Sequence, residues 1–277
     1  MDVGQDARML MSSVVMVALL AAPAAPKSQP LTWKVTGSDV TFEMSAKDLR
    51  ALRGGKEVFG LQSRKKAFLS SLAPDPDDTR DRSEWEASQS FTVLSVVGPW
   101  VSTEQSSDGY TGGAHPYSHT SYVTDDVTQG KGGFSLLSGF AEQDVLKALK
   151  ADGFVKKHVR DEAAFKNAKT VEAMLESLEP GEDCVGFQYG LDNVKRSVAF
   201  HHLEGDSVAV RIAFGYDNES CRGSKFVVGV LLPIPASLRP AFDRAASRAE
   251  GFLMKDAKAV HAPSVNFEWK PPEAQKP

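Results

Sequence analysis

The sequence predicts an α+β fold: an antiparallel sheet with helices packed on one face. Three observations predict it. Strand-like runs come first, helical periodicity occupies the middle, and strands return before a final helix. That order differs from the βαβ alternation of parallel sheets. Hydrophobic residues make up 42% and charged residues 25% of the 277 positions, the balance of a globular chain and not of a disordered one. A chain of this length buries roughly 70–75% of its unfolded surface, so its fold needs no metal staple.

Each element follows from local pattern. Leu31 to Met44 alternates imperfectly through Trp33, Val35, Val40, Phe42 and Met44, and Gly37-Ser38-Asp39 breaks it into a hairpin. Ser45-Ala46-Lys47-Asp48 reads as the opening of a short helix through Leu49 and Leu52, stopped at Gly54-Gly55. Lys65 to Leu72 reads as another helix. Pro74 to Glu86 is polar and outlines a calcium loop through Asp75, Asp77 and Glu86, but Arg80 stands where that loop needs Gly, which favours a solvated joint. Ser90 to Val101 is a strand broken at Gly98-Pro99, and Thr120 to Val127 is another; after a turn at Gly130, Phe134 to Leu137 continues the sheet. Ser138 is the expected N-cap of a helix carrying Phe140, Val145, Leu146 and Leu149 and ending at Gly153. Two further amphipathic stretches follow, one with Val155, Val159 and Phe165, the other with Val171, Met174, Leu175 and Leu178. From Phe187 strands return, at Val198–Phe200, Val208–Ile212 and Phe226–Leu232, with a turn at Glu204-Gly205-Asp206. Pro235 and Ser237 introduce the last helix, and the end is Pro-rich.

The first residues carry an address. Met9 to Ala25 is nearly continuous in apolar and small residues, and Ala22-Pro23-Ala24 fits a secretory cleavage site. The apolar core is short for a membrane span of about 20 residues, and no basic stop-transfer run follows it. The expectation is a periplasmic or secreted chain with no stable membrane span after signal cleavage. Export gives the two cysteines a meaning: Cys184 and Cys221 form an even pair in an oxidising compartment, which favours one disulfide. Chain-entropy bookkeeping assigns such a closed loop roughly 4 kcal/mol. A net charge of -4 provides no basic surplus for nucleic acid.

The common catalytic signatures are missing: no G-x-S-x-G, no H-E-x-x-H, no phosphate-cradling loop. Chemistry concentrates in Gly109-Tyr110-Thr111-Gly112-Gly113-Ala114-His115-Pro116-Tyr117-Ser118-His119. Adjacent glycines permit φ > 0 and an anion-binding nest. Histidines at i and i+4 suggest zinc or a general base, but on a strand they sit roughly 13 Å apart, too far for one metal. His201-His202 is dismissed as a chelating pair because neighbours on a strand face opposite sides. The segment therefore reads as a tight turn first and a binding rim second, with Tyr110, Gly112, Gly113, His115 and Tyr117 as the rim. No catalytic residue, metal ligand or cofactor is assigned.

Tyr110-Thr111-Gly112-Gly113-Ala114-His115-Pro116, followed by a strand, the Gly130 turn and Phe134–Leu137, resembles a domain of unknown function. That domain forms the extracytoplasmic part of RsiV-type anti-sigma factors and accompanies PdaC-type peptidoglycan deacetylases outside their catalytic domain. The likeness spans about Ser88 to Leu232. It implies a cell-surface α+β domain, and in RsiV-type proteins a lysozyme receptor. Two departures stand out. Eight residues precede the apolar run, too few for a cytosolic sigma-binding domain, and the family's Pro-Tyr-Glu-like segment has no counterpart in Phe214–Val230. The expected organisation is a signal peptide over 1–24, a strand and helix region with linker over 25–87, an RsiV-like domain over 88–260 and a Pro-rich tail over 261–277. The expected function is a non-enzymatic binding module of the bacterial cell envelope, its partner an envelope protein or lysozyme. The alternative is an envelope-polymer hydrolase with His115 as general base, which requires a carboxylate such as Asp125 or Asp126 beside it.

Overall fold

The computed structural model describes residues 30–72, 81–112, 115–129, 133–179, 189–214 and 227–271. The fold is α+β, with three antiparallel sheets among the described residues. The first is a meander of β1 (Leu31–Lys34), β2 (Val40–Ser45), β3 (Asp48–Arg53) and β4 (Lys56–Gly60). β3 replaces the helix expected from Ser45. Leu49 and Ala51 alternate inward opposite Met44 and Phe42, which is strand periodicity. Gly54 and Gly55 have φ of 54° and 79°, the paired left-handed geometry of a two-residue hairpin turn and not of a helix stop. α1 (Leu61–Ser71) follows, starting four residues before its expected position.

The second sheet is built on β5 (Glu86–Val97), β6 (Trp100–Tyr110) and β7 (Tyr117–Asp126). Gly98, at φ 53°, makes the tight β5–β6 turn. Phe134 joins β7 through one hydrogen bond, its N–H donating to the Thr124 carbonyl at 2.9 Å. The expected strand over Phe134–Leu137 stops there, because Phe134 wedges between the Trp100 and Phe200 rings and α2 (Leu136–Gly139) begins.

Short helices fill the middle: α3 (Glu142–Ala151), α4 (Gly153–Lys157), α5 (Glu162–Asn167), α6 (Val171–Leu175) and α7 (Leu191–Arg196). Ser138 lies inside α2 and does not cap α3. Gly153 opens α4 instead of closing α3, because Asp152 Oδ1 accepts from the Phe154 and Val155 N–H groups at 2.8 and 3.1 Å. Asp161 and Thr170 cap α5 and α6 in the same way. The third sheet runs β10-β9-β8, from β8 (Val198–Glu204), β9 (Ser207–Ala213) and β10 (Val227–Pro233). Val208, Val210 and Ile212 on β9 and Val228, Val230 and Leu232 on β10 all point into the helical layer, so the helices cover one face of this sheet. α8 (Arg239–Ala246) closes that core through Phe242, edge-on to Phe200 at 5.0 Å.

The segment read as a Pro-rich tail begins with a strand. β12 (Ser264–Trp269) pairs with Ala87–Thr92 of β5, and the two-residue β11 (Gly251–Phe252) pairs with Val96–Val97 beyond it. Phe252 and Phe267 thereby enter a second core with Phe42, Leu49, Leu61, Phe91 and Val93, between the first sheet and one face of the second. On the opposite face, Leu94 and Tyr122 meet Ala199 and Ala213 of the third sheet. Phe267 is 4% exposed, and its ring lies 5.9 Å from Phe91. Phe267→Ala should therefore cost about 3–5 kcal/mol in urea denaturation, whereas a freely dangling tail would leave the midpoint unchanged.

Candidate functional site

The Gly-rich segment turns the β6–β7 hairpin. Gly112 adopts φ 86°, and an added Cβ would sit 3.0 Å from Trp85 Nε1. Both backbone conformation and the neighbouring indole therefore require glycine. Trp85 is 7% exposed, and the Arg82 guanidinium lies 4.5 Å from its ring centroid. Sequence reasoning missed both residues, since nothing local ties Trp85 to a turn far along the chain. Gly113 lies outside the described residues. His115 and Pro116 are exposed at the tip.

The two tyrosines flank this tip on different faces. Tyr110 stands opposite Glu86, and Tyr117 stands opposite Gly109. Positions 109 and 110 point to opposite sides of β6. The Tyr117 hydroxyl covers Gly109, where a Cβ would come within 2.9 Å of it. Burial first, and then the Asp108 carboxylate, hold the Tyr117 phenol above its ordinary value. Tyr110, Gly112, His115 and Tyr117 thus gather at one end of the second sheet, but not on one face. Beside them a shallow cleft of about 300 Å³ is lined by Glu86, Ser88, Asp108, Glu268 and Lys270.

Asp125 and Asp126, the carboxylates named as partners for His115, lie elsewhere. Asp125 and Asp126 end β7, and Tyr117 begins it, a span of roughly 26 Å at strand rise. Asp125 is ion-paired with Arg64 of α1. Burial raises the pKa of Asp125, and the Arg64 guanidinium opposes that rise. Asp126 Oδ1 accepts from the Thr128 N–H at 2.9 Å and from its hydroxyl at 2.6 Å. Each carboxylate is committed to local structure at the end of the sheet remote from His115.

The expected geometry of His201 and His202 is overturned. A register shift between Phe200 and His202 inserts a β-bulge, so the two-residue period fails there. The rings lie together, with Nδ1 to Nδ1 at 2.8 Å. Burial first, then Arg211, His202 and Lys255, lower the His201 pKa. Among the described residues no group of three or more His, Cys, Asp or Glu is placed to hold a metal ion. None of their helices is long and apolar enough to cross a membrane. Residues 1–29, including the segment read as a secretory signal, and both Cys184 and Cys221 lie outside the described residues.

Two outcomes follow from these contacts. Gly112→Val should lower stability by about 1–3 kcal/mol in thermal melts, through strain at positive φ and collision with Trp85. The His201 effect has a definite sign. Its folded-state pKa lies below the unfolded value near 6.5, so the unfolded chain takes up the proton first. Stability should be complete above that value and decline as pH falls through it toward the folded pKa. In urea titrations, His201→Asn should flatten this part of the profile; an unchanged slope would remove His201 as its source.

No family model matches this chain, and no curated protein or solved structure shows significant similarity to it.

Proposed function

We propose that this is an exported, non-enzymatic binding module of the bacterial cell envelope, acting in the periplasm or outside the cell. The observation that carries the reading is the division of labour along β7. Its Tyr117 end presents a tip with exposed His115 and half-buried Tyr110 and Tyr117 beside an open cleft. Its Asp125 end holds Asp125 and Asp126 in structural roles. A rim of this kind supports recognition, and the two carboxylates named for the hydrolase, Asp125 and Asp126, stand at the far end of β7 from it. Export rests on the apolar run before Ala22-Pro23-Ala24, and the bacterial envelope on the resemblance of the Gly-Gly-Ala-His-Pro segment to RsiV-type and PdaC-type proteins. An envelope protein or lysozyme is the partner that resemblance favours.

An oxidising location also implies a bond between Cys184 and Cys221. The described ends support it: the Gly190 N–H donates to the Phe214 carbonyl at 3.3 Å, and the Tyr189 and Phe214 rings lie 5.6 Å apart. Tyr189 and Phe214, which adjoin each other, lie five and seven residues along the chain from Cys184 and Cys221. Thiol labelling of the unreduced, denatured protein should find no free thiol; two free thiols would remove the disulfide.

Capture from envelope extract, paired with a turnover assay on purified peptidoglycan, tests the function. The expected result is retention of an envelope component with no turnover, in wild type and in His115→Ala alike. Wild-type turnover that disappears in a folded His115→Ala protein would replace the binding module with the hydrolase.

A further inference from the structure

The pairing register places three ranks of side chains on one face of the second sheet, the face that meets the third sheet at its far end. They read Glu268–Ser88–Asp108–Ser118, Asn266–Ser90–Ser106–Thr120 and Ser264–Thr92–Glu104–Tyr122 across β12, β5, β6 and β7. Tyr122 is buried against the third sheet, whereas Ser88, Ser90, Ser106 and Thr120 are only half-buried and Ser118, Asn266 and Glu268 are exposed. The hydroxyls are already tied in cross-strand pairs: Thr92 with Ser264 at 2.8 Å, Ser106 with Thr120 at 2.8 Å, and Ser118 donating to Asp108 at 2.6 Å. Within each hydroxyl–hydroxyl pair one proton is used internally, and the second proton and the remaining lone pairs stay available outward. Strands about 4.8 Å apart and alternate residues about 6.7 Å apart give an array roughly 14 by 13 Å between Cα atoms.

We infer that this open end of the sheet face is a docking surface for an extended, hydroxyl-rich glycan strand that carries no anionic groups. The inference rests on the binding-module reading and adds a glycan on this face to the protein partner that the resemblance favours. Charge complementarity selects the occupant. The charged members of the three ranks, Glu104, Asp108 and Glu268, are all acidic, and Glu86 borders them on the cleft with Lys270. Carboxylates accept hydrogen bonds from sugar hydroxyls and repel polyanions. On this face a protein partner fits poorly, because interface centres are depleted in Ser, Asp and Glu and rely on aromatic and Arg anchors. Short Ser and Thr side chains pinned in pairs lose little rotamer freedom on binding, which suits a flat polar ligand.

Titrate the full-length protein with uncharged β-linked hexamers of N-acetylglucosamine and of glucose, and with an oligogalacturonate as the anionic counterpart. The expected result is saturable binding of at least one neutral hexamer and none of the anionic one. Ser118→Arg and Asn266→Arg, both at exposed positions, should each weaken binding at least about tenfold with unchanged melting, and Asp108→Asn should weaken it by about the same factor. Neutral hexamers that fail to bind, binding indifferent to both arginine variants, or preference for the anionic oligomer would each overturn the inference. Envelope capture that persists in those cases leaves the binding-module reading standing, whereas loss of both removes the two together.

Discussion

Pairing along both edges of β5 is the constraint on which the remaining structure depends. Glu86–Val97 runs antiparallel to β6 on one edge, and on the other it receives β12 along its first half and β11 along its last residues. With both edges occupied, each face of the strand is free to serve a different neighbour. Phe91, Val93 and Val96 turn into the core shared with the first sheet, while Leu94 and Val97 turn toward the third sheet and the helices. The register shift between Val93 and Ser95 changes the parity of the strand, so that Val96 shares the face of Phe91 and Val93. The apolar share of the strand ends at Phe91, and before it come Ala87, Ser88, Gln89 and Ser90. The same strand is therefore core at one end and open polar surface at the other.

That gradient fixes where recognition can occur. The end of β6 and the start of β7 extend past the cover of the third sheet, so their tip carries Tyr110, Gly112, His115 and Tyr117 beyond the packed layers. Trp85 stands beside Gly112 at the base of the tip, with the Arg82 guanidinium over its ring. At the opposite end, Arg64 and Asp125 join α1 to β7. The buried end provides rigidity, and the open end presents hydrogen-bonding groups held by it.

Much of this was legible in the sequence where physics is local. The α+β order, the hairpin at Gly37, the turn at Gly205 and the special backbone at Gly112 all depend on residue type and short-range pattern. What escaped depends on distant partners. Ser45-Ala46-Lys47-Asp48 offers the same cap residues to a helix that it offers to a turn, and only pairing with β2 decides for a strand. β12 follows several turn-forming residues and needs Ala87–Thr92 to become a strand at all. The Ser and Thr alternation of β5 and β6 has too little hydrophobic contrast to announce a sheet face. His201 and His202 share a side because of a bulge that no residue of the pair signals.

The late pairing of β12 has a consequence for how the chain reaches this structure. Ser264 closes on Thr92 and Trp269 on Ala87, among the most distant pairings in the fold. Until the last segment has been made, half of the outer edge of β5 presents unpaired N–H and C=O groups, next to a face already committed to Phe91. Loop-closure entropy of that size slows the step, and an open strand edge invites pairing with other chains while it waits. The serines and glutamine of Ser88–Ser90 lie on this waiting edge, and polar residues there make it a poorer template for other chains than an apolar strand would be.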